Sequence, residues 1–189
     1  MKPCVFLDRD GVLNRTFIKR GRPVAPRRLK DFRLLPGTAK AVRSLRAAGF
    51  TIVVATNQPD IANGLVTVET VEAMHRRLRE RLPLDAVMVC PHNDRNRCSC
   101  RKPKPGMLRQ AARRLGIDLS RSFMVGDRWR DIVAGRDAGC YTILVDRGYR
   151  EGFPVEPDLR VNSLPAAAQK ILSRVARGGF RRSSRLGDP

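Results

Sequence analysis

Apolar residues in this chain gather in short unbroken runs, separated by stretches where they recur every three or four positions. The runs are Cys4–Leu7 (CVFL), Thr51–Thr56 (TIVVAT), Ala86–Cys90 (AVMVC), Ser122–Asp127 (SFMVGD) and Tyr141–Asp146 (YTILVD). None alternates with polar residues, as expected of parallel strands covered on both faces. Between them, Gly37–Gly49, Thr67–Leu82, Pro105–Gly116, Arg130–Gly139 and Ser163–Val175 carry helical spacing. Several have helix-boundary chemistry: Thr67 is an N-cap residue followed by acids, and Gly49, Gly116 and Gly139 follow the last apolar turn. Strands alternating with helices predict an α/β fold, a right-handed, doubly wound parallel sheet.

Two stretches fall outside this alternation. Arg15–Gly37 is a long basic connection after the first strand, with cations at Lys19, Arg20, Arg22, Arg27 and Arg28. Residues 174–189 are rich in glycine, serine and arginine. The expected organisation is therefore one domain over residues 1–173 and a mobile basic tail over 174–189. The spacers after the first two strands are too short for a large cap domain.

Composition changes this picture little. With 42% hydrophobic residues in 189, the chain can build a substantial core. There is no long apolar span and no signal-peptide pattern at the N-terminus, so a cytoplasmic location is expected. The formal charge of +20 suits an anionic partner, but arginine is spread along the whole chain rather than gathered in one patch. Aromatic residues make up only 5%, which leaves no stacking platform for single-stranded nucleic acid.

Candidate chemistry sits where the strands end. Asp8 and Asp10 flank Arg9 after the first run, and Gly11 follows. Two acids this close repel each other unless a cation lies between them, and a hard ion such as Mg²⁺ suits oxygen donors. Asp127 leaves the fourth run behind Gly126. Thr56, Asn57 and Gln58 leave the second run with hydroxyl and amide groups. Arg101, Lys102 and Lys104 add cations. Carboxylates for a metal, neutral donors and cations together suit phosphoryl transfer, where positioning and charge neutralisation do most of the catalysis.

Cys90, His92, Cys98 and Cys100 form C-x-H-x₅-C-x-C. Three thiolates and an imidazole suit a closed, structural Zn²⁺ site. The alternatives are reduced surface cysteines beside a chance histidine, or a nucleic-acid finger, which lacks its histidine-bearing helix here. Cys4 and Cys140 are expected to be packing residues, and His75, within a basic run, a solvated one.

The four segments DRDGV, VVATNQ, RKPKPG and VGDRWRD, in this order, resemble the haloacid-dehalogenase superfamily of phosphatases over about Lys2–Arg150. The cysteine cluster resembles the branch acting on heptose 1,7-bisphosphate (at the 7-phosphate) or histidinol phosphate. The resemblance implies a Rossmann-like fold, with Asp8 as nucleophile and Asp10 as general acid and base. It implies Mg²⁺ on Asp8, Asp127 and the Asp10 carbonyl, and Thr56 and Lys102 holding the phosphoryl group. Arg101 is implied in substrate recognition, Arg128 in phosphate binding and Asp131 in support of the metal site. Asn57 and Gln58 are expected to contact substrate, and the zinc loop, residues 90–104, to aim Arg101 and Lys102. The partner expected is a small phosphorylated sugar, and the chain a monomer. A zinc-containing nucleic-acid-binding module on a phosphatase-like fold is the alternative of another class. Pro59, Asp60 and Asn63 depart from the serine-glycine pair and arginine common in the resembling sequences.

Overall fold

The central strand of the computed structural model, β1 (Cys4–Leu7), has every residue buried. The structure describes residues 1–19, 21–152 and 154–179. Arg20 and residues 180–189, most of the expected tail, lie outside the described residues. β1 pairs in parallel with β4 (Thr51–Asn57) on one side and with β6 (Phe123–Gly126) on the other. Beyond β4 lies β5 (Ala86–Cys90). Beyond β6 lie β7 (Tyr141–Val145) and β8 (Leu159–Val161). The order is β5-β4-β1-β6-β7-β8, parallel throughout.

The strands are apolar in unbroken runs because both faces are covered. Val5 and Leu7 join Ile52, Val54, Phe123 and Val125 in one core. That core also takes the buried faces of α1 (Thr38–Ala47), α3 (Val68–Arg81) and α6 (Leu164–Ala176). Cys4 and Phe6 point the other way, into a second core with Val53, Met124, Cys140 and residues of α4 (Gly106–Leu115). Cys4 and Cys140 are packing residues, as expected. α5 (Trp129–Ala138) lies close to the sheet at Gly135, where a Cβ atom would sit 2.6 Å from Met124 Cβ.

Four features differ from the sequence expectations. The basic connection holds an antiparallel hairpin, β2 (Phe17–Lys19) with β3 (Arg22–Val24), whose exposed Phe17 and Ile18 give it no buried stripe to read. A sixth strand, β8, edges the sheet; three residues, two half-buried around an exposed arginine, are too few to register as a pattern. α6 runs to Ala176, so residues 174–176 continue the last helix. A four-residue helix, α2 (Pro59–Ala62), follows β4.

The sheet topology places the chemistry. Strand order reverses beside β1, so the carboxyl ends of β4, β1 and β6 lie side by side, where open α/β sheets bind ligands. Leu7 is paired with Val54 on one side and Val125 on the other, so the residues just beyond them come out together.

Phe123 is fully buried and meets Phe50 and Tyr141 edge-on, with ring centroids 5.8 and 5.7 Å away. Phe123→Ala is expected to cost about 3–5 kcal/mol of unfolding free energy, measured by urea denaturation. A loss below about 1 kcal/mol would place Phe123 outside the cooperative core.

Candidate active site

Asp8 is the first residue beyond β1, and its backbone N–H donates to Val125 O at 2.9 Å. Thr56 and Asn57 end β4, and Asp127 is the first residue beyond β6. Lys102 comes from the loop after β5. Its ammonium donates to Asp8 Oδ1 at 2.9 Å, Asp131 Oδ1 at 2.5 Å and Ala55 O at 2.6 Å. The four residues that the sequence scatters over positions 8, 102, 127 and 131 are thus buried together.

Their charges do not balance. One oxygen each from Asp8, Asp127 and Asp131 lie within 4.8 Å of one another, and Lys102 is the ammonium among them. Burial pushes Asp8 up to about 7, with Lys102 pulling it down and Asp131 and Asp10 pushing it further up. Asp127 is raised well above the carboxylate range by burial and by the charges of Asp8 and Asp131. Burial draws Lys102 down, but Asp131 and Asp8 outweigh it and hold its pKa above the usual lysine value. A group of this kind accepts further positive charge.

Asp127 marks where that charge fits. Both its carboxylate oxygens are buried without a hydrogen-bond partner. The Tyr149 hydroxyl lies close enough to lower its pKa somewhat, but makes no hydrogen bond of normal geometry to either oxygen. Gly11 sits against it with φ +84°, and a Cβ there would lie 1.8 Å from Asp127 Oδ2. Asp131 is committed elsewhere: Oδ1 accepts from Lys102 and Oδ2 from Arg128 N at 3.0 Å. The oxygens open to a hard divalent cation are therefore on Asp8 and Asp127, a donor set that fits Mg²⁺.

The second aspartate faces a different network. Asp10 accepts from Gln58 Nε2 at 2.7 Å, Asn14 Nδ2 at 2.9 Å and Arg9 Nη2 at 2.8 Å. Arg9 has no exposed surface; it also donates to Gln58 Oε1 at 3.0 Å, contacts His75 Nε2 at 3.2 Å and lies over the Phe32 ring. Sequence reasoning missed both Arg9 and His75. His75 is buried, not solvated, because helical spacing puts it on one face of α3 with Val71, Met74 and Leu78. That spacing was the available signal.

Asn57 and Gln58 line the cavity, but their side chains already have partners. Asn57 clamps the Lys102 backbone from both sides: Nδ2 donates to Lys102 O at 2.9 Å, and Oδ1 accepts from Lys102 N at 3.1 Å. Gln58 donates to Asp10 and to Thr56 Oγ1 at 2.8 Å. With that oxygen accepting, the Thr56 hydroxyl proton is free to be donated.

The cavity above these groups has a volume of about 290 Å³. Arginines on its walls are each paired: Arg101 with Asp94, Arg130 with Asp94, Arg128 with Glu151 and Arg27 with Asp60. Lys19 is exposed on the hairpin and Arg28 pairs with Asp31.

The cysteine cluster lies beside this site, with no disulfide. Sulfur–sulfur distances among Cys90, Cys98 and Cys100 are 3.2–3.7 Å; His92 Nδ1 lies 3.7 Å from Cys90 Sγ and 3.4 Å from Cys100 Sγ. Zinc–ligand bonds near 2.0–2.3 Å set tetrahedral edges of roughly 3.5–3.8 Å, close to this spacing. Burial raises the Cys98 thiol, but the Arg101 N–H and the neighbouring thiols outweigh it and bring Cys98 to about 7. The loop packs on α4 at Gly106, where a Cβ would lie 2.1 Å from Ser99 O. Lys102 follows Cys100 by two residues, so the cluster fixes the loop that delivers it.

Known proteins are similar to this chain in sequence and fold. A family model described as HAD-hydrolase-like matches residues 99–167. The D-glycero-D-manno-heptose-1,7-bisphosphate 7-phosphatase of Thermosynechococcus vestitus is 39% identical over 93% of this chain and 98% of its own. The D-glycero-beta-D-manno-heptose-1,7-bisphosphate 7-phosphatase of Pseudomonas aeruginosa is 40% identical over 90% and 98%. Among solved structures, the D,D-heptose 1,7-bisphosphate phosphatase of B. bronchiseptica, complexed with magnesium and phosphate, superposes with a TM-score of 0.78. It is 36% identical and covers 91% of this chain and 99% of its own.

Burial lowers His75 to about 4, and the facing Arg9 and Arg79 lower it further against the opposing pull of Glu72. The folded chain keeps His75 neutral where the unfolded chain takes up a proton, below pH 6.5. Its contribution is fully present above pH 6.5 and is lost as pH falls towards 4, on the order of 3 kcal/mol across that window. Urea titrations of wild type and His75→Gln at pH 7 and pH 4.5 should show the wild type losing more stability on acidification. Parallel losses would mean that His75 does not titrate with folding.

Proposed function

The chain belongs to the D-glycero-D-manno-heptose-1,7-bisphosphate 7-phosphatase family of HAD-like hydrolases, and we propose that it is a magnesium-dependent phosphatase removing the 7-phosphate from that sugar bisphosphate. The observation that carries this reading is the meeting of Asp8, Asp127 and Lys102 at the carboxyl end of the sheet, with both Asp127 oxygens unpartnered.

Asp8 is the nucleophile. Its carboxylate oxygen attacks phosphorus, the bond from phosphorus to the sugar O7 breaks, and the electron pair leaves on O7, which takes a proton from Asp10. Asp10 then removes a proton from water. The water oxygen attacks the aspartyl-phosphate, and the bond to Asp8 breaks, restoring the carboxylate. Lys102 and the Thr56 hydroxyl bind the non-bridging phosphoryl oxygens. The side chains of Asp8 and Asp127 and the Asp10 carbonyl would hold magnesium, which when bound neutralises charge between carboxylates and phosphate. Asn57 sets the position of Lys102. Gln58, Asn14 and Arg9 set that of Asp10. Asp131 holds Lys102 from behind and anchors the start of α5. Arg101 and Arg128 line the substrate cavity.

Zn²⁺ on Cys90, His92, Cys98 and Cys100 has a structural role: a closed four-ligand site has no position left for substrate. The described residues include no helix long and apolar enough to cross a membrane. A soluble phosphosugar substrate suits work in the cytoplasm, and one chain supplies every residue of the site, which suits a monomer.

Asp8→Asn should cut phosphate release from the heptose bisphosphate by at least about a thousandfold, because an amide does not replace the nucleophile. Its circular dichroism spectrum should stay that of the folded protein, and near-normal release would end the assignment. Wild type should release phosphate from the heptose bisphosphate in magnesium and lose that activity in its absence. A preference for histidinol phosphate would instead assign the chain to the other substrate. Removing zinc with a chelator, then restoring magnesium, should lower both melting temperature and turnover. Unchanged values for both would remove the structural role of the cluster.

A further inference from the structure

We propose that Arg27 is the specificity residue that binds the second, non-transferred phosphate of the substrate, and that Asp60 competes with that phosphate for its guanidinium. The inference rests on the bisphosphate reading above and concerns a residue pair in the region where the sequence departs from its resemblance.

Four arginines line the cavity; Arg101 and Arg128 each have two nitrogens engaged, and Arg130 has one terminal nitrogen engaged and a face on an aromatic ring. Arg101 donates from Nε to Asp94 and from Nη1 to the His92 carbonyl. Arg128 grips Glu151 through both Nε and Nη2. Arg130 reaches Asp94 at 3.3 Å and lies 4.7 Å over the Trp129 ring. Arg27 differs: Nε alone is engaged, by Asp60 at 2.7 Å, and neither Nη group has a hydrogen-bond partner among the described residues. A guanidinium with its terminal nitrogens open suits the paired oxygens of a phosphate.

Placement agrees with this role. The transferred phosphoryl group lies over Asp8, against Lys102 and Thr56. Arg27 follows β3, on the wall built from the hairpin segment, and Asp60 lies in the first turn of α2, two residues beyond Gln58. The side chain of Arg27 is 38% exposed and that of Asp60 17%, so the cation is reachable from solvent while its partner is tucked beneath it. The pair joins the segment after the hairpin to the helix that follows β4, and both residues line the cavity. A phosphate arriving there meets that cation and competes with a single carboxylate oxygen.

Competition makes the two partners separable. If Asp60 and the distal phosphate share one guanidinium, removing the cation and removing its carboxylate must act in opposite directions. A merely structural ion pair predicts the same direction for both. The readout is the ratio of kcat/KM for heptose 1,7-bisphosphate to kcat/KM for heptose 7-phosphate, which has the same scissile bond and no distal phosphate.

Arg27→Ala should lower that ratio about tenfold to a hundredfold, through KM for the bisphosphate, as expected for losing a hydrogen-bonded charge contact. Arg27→Lys, which keeps the charge and loses the fork, should fall between. Asp60→Asn should raise the ratio. Arg27→Ala and Asp60→Asn changing it in the same direction, or neither changing it, would overturn the proposal while leaving the phosphatase assignment intact. A wild-type enzyme inactive on both sugars would end the assignment, and this inference with it.

Discussion

Three carboxylates are buried around one ammonium at the end of this sheet, and the rest of the site depends on that imbalance. Like charges held within 4.8 Å of each other away from water are strongly unfavourable unless neutralised. Lys102 neutralises part of the charge through Asp8 and Asp131. Asp127 is left with no donor on either oxygen. The fold keeps this arrangement in place because three parallel strands, hydrogen-bonded in register, deliver Asp8, Thr56 and Asp127 from backbones that cannot move independently. Gly11 and Gly126 allow the close approach: a Cβ at either would lie within about 2 Å of Asp127 or Asp131 atoms.

Around that centre, the structure spends polar side chains on aiming rather than on contact. Asn57 fixes the backbone of Lys102, the lysine proposed to bind phosphate, from both sides. Gln58, Arg9 and His75 form a buried chain that sets Asp10, the proposed acid and base. Hydrogen-bonded buried polar groups hold one another in place, which suits a reaction whose rate depends on placement, although His75 Nδ1 at the far end has no hydrogen-bond partner. The cysteine cluster does the same for Lys102 from the other side, in a loop with almost no apolar residues of its own.

The parts of this site that the sequence made legible were those written at strand ends. An apolar run that stops at an acid and a glycine announces both the strand and the turn, so Asp8, Asp10 and Asp127 could be named before any geometry. Cys90, His92, Cys98 and Cys100 could be named because ligand types rarely cluster so closely. What was missed depended on which way a side chain faces, which helical spacing could have signalled for His75 but not for Arg9. His75 precedes two arginines, and Arg76 next to it is exposed, while its own side chain lies on the stripe of Val71, Met74 and Leu78. Arg9 sits between two acids, and nothing in the string says that it turns inward to a histidine 66 residues away. The pairing of Arg27 with Asp60 joins two segments that carry no shared motif. The exposed hairpin and the short edge strand β8 left no periodic pattern to find.

The central claim is that the unpartnered carboxylate of Asp127, together with Asp8, is a magnesium site. The most direct measurement is magnesium binding by calorimetry to the wild type and to Asp127→Asn, with the melting temperature followed in parallel. Magnesium should bind the wild type and raise its melting temperature, since a ligand that binds only the folded state stabilises it. Both effects should vanish in Asp127→Asn. Equal binding and equal stabilisation in the two proteins would place the metal elsewhere and contradict the account.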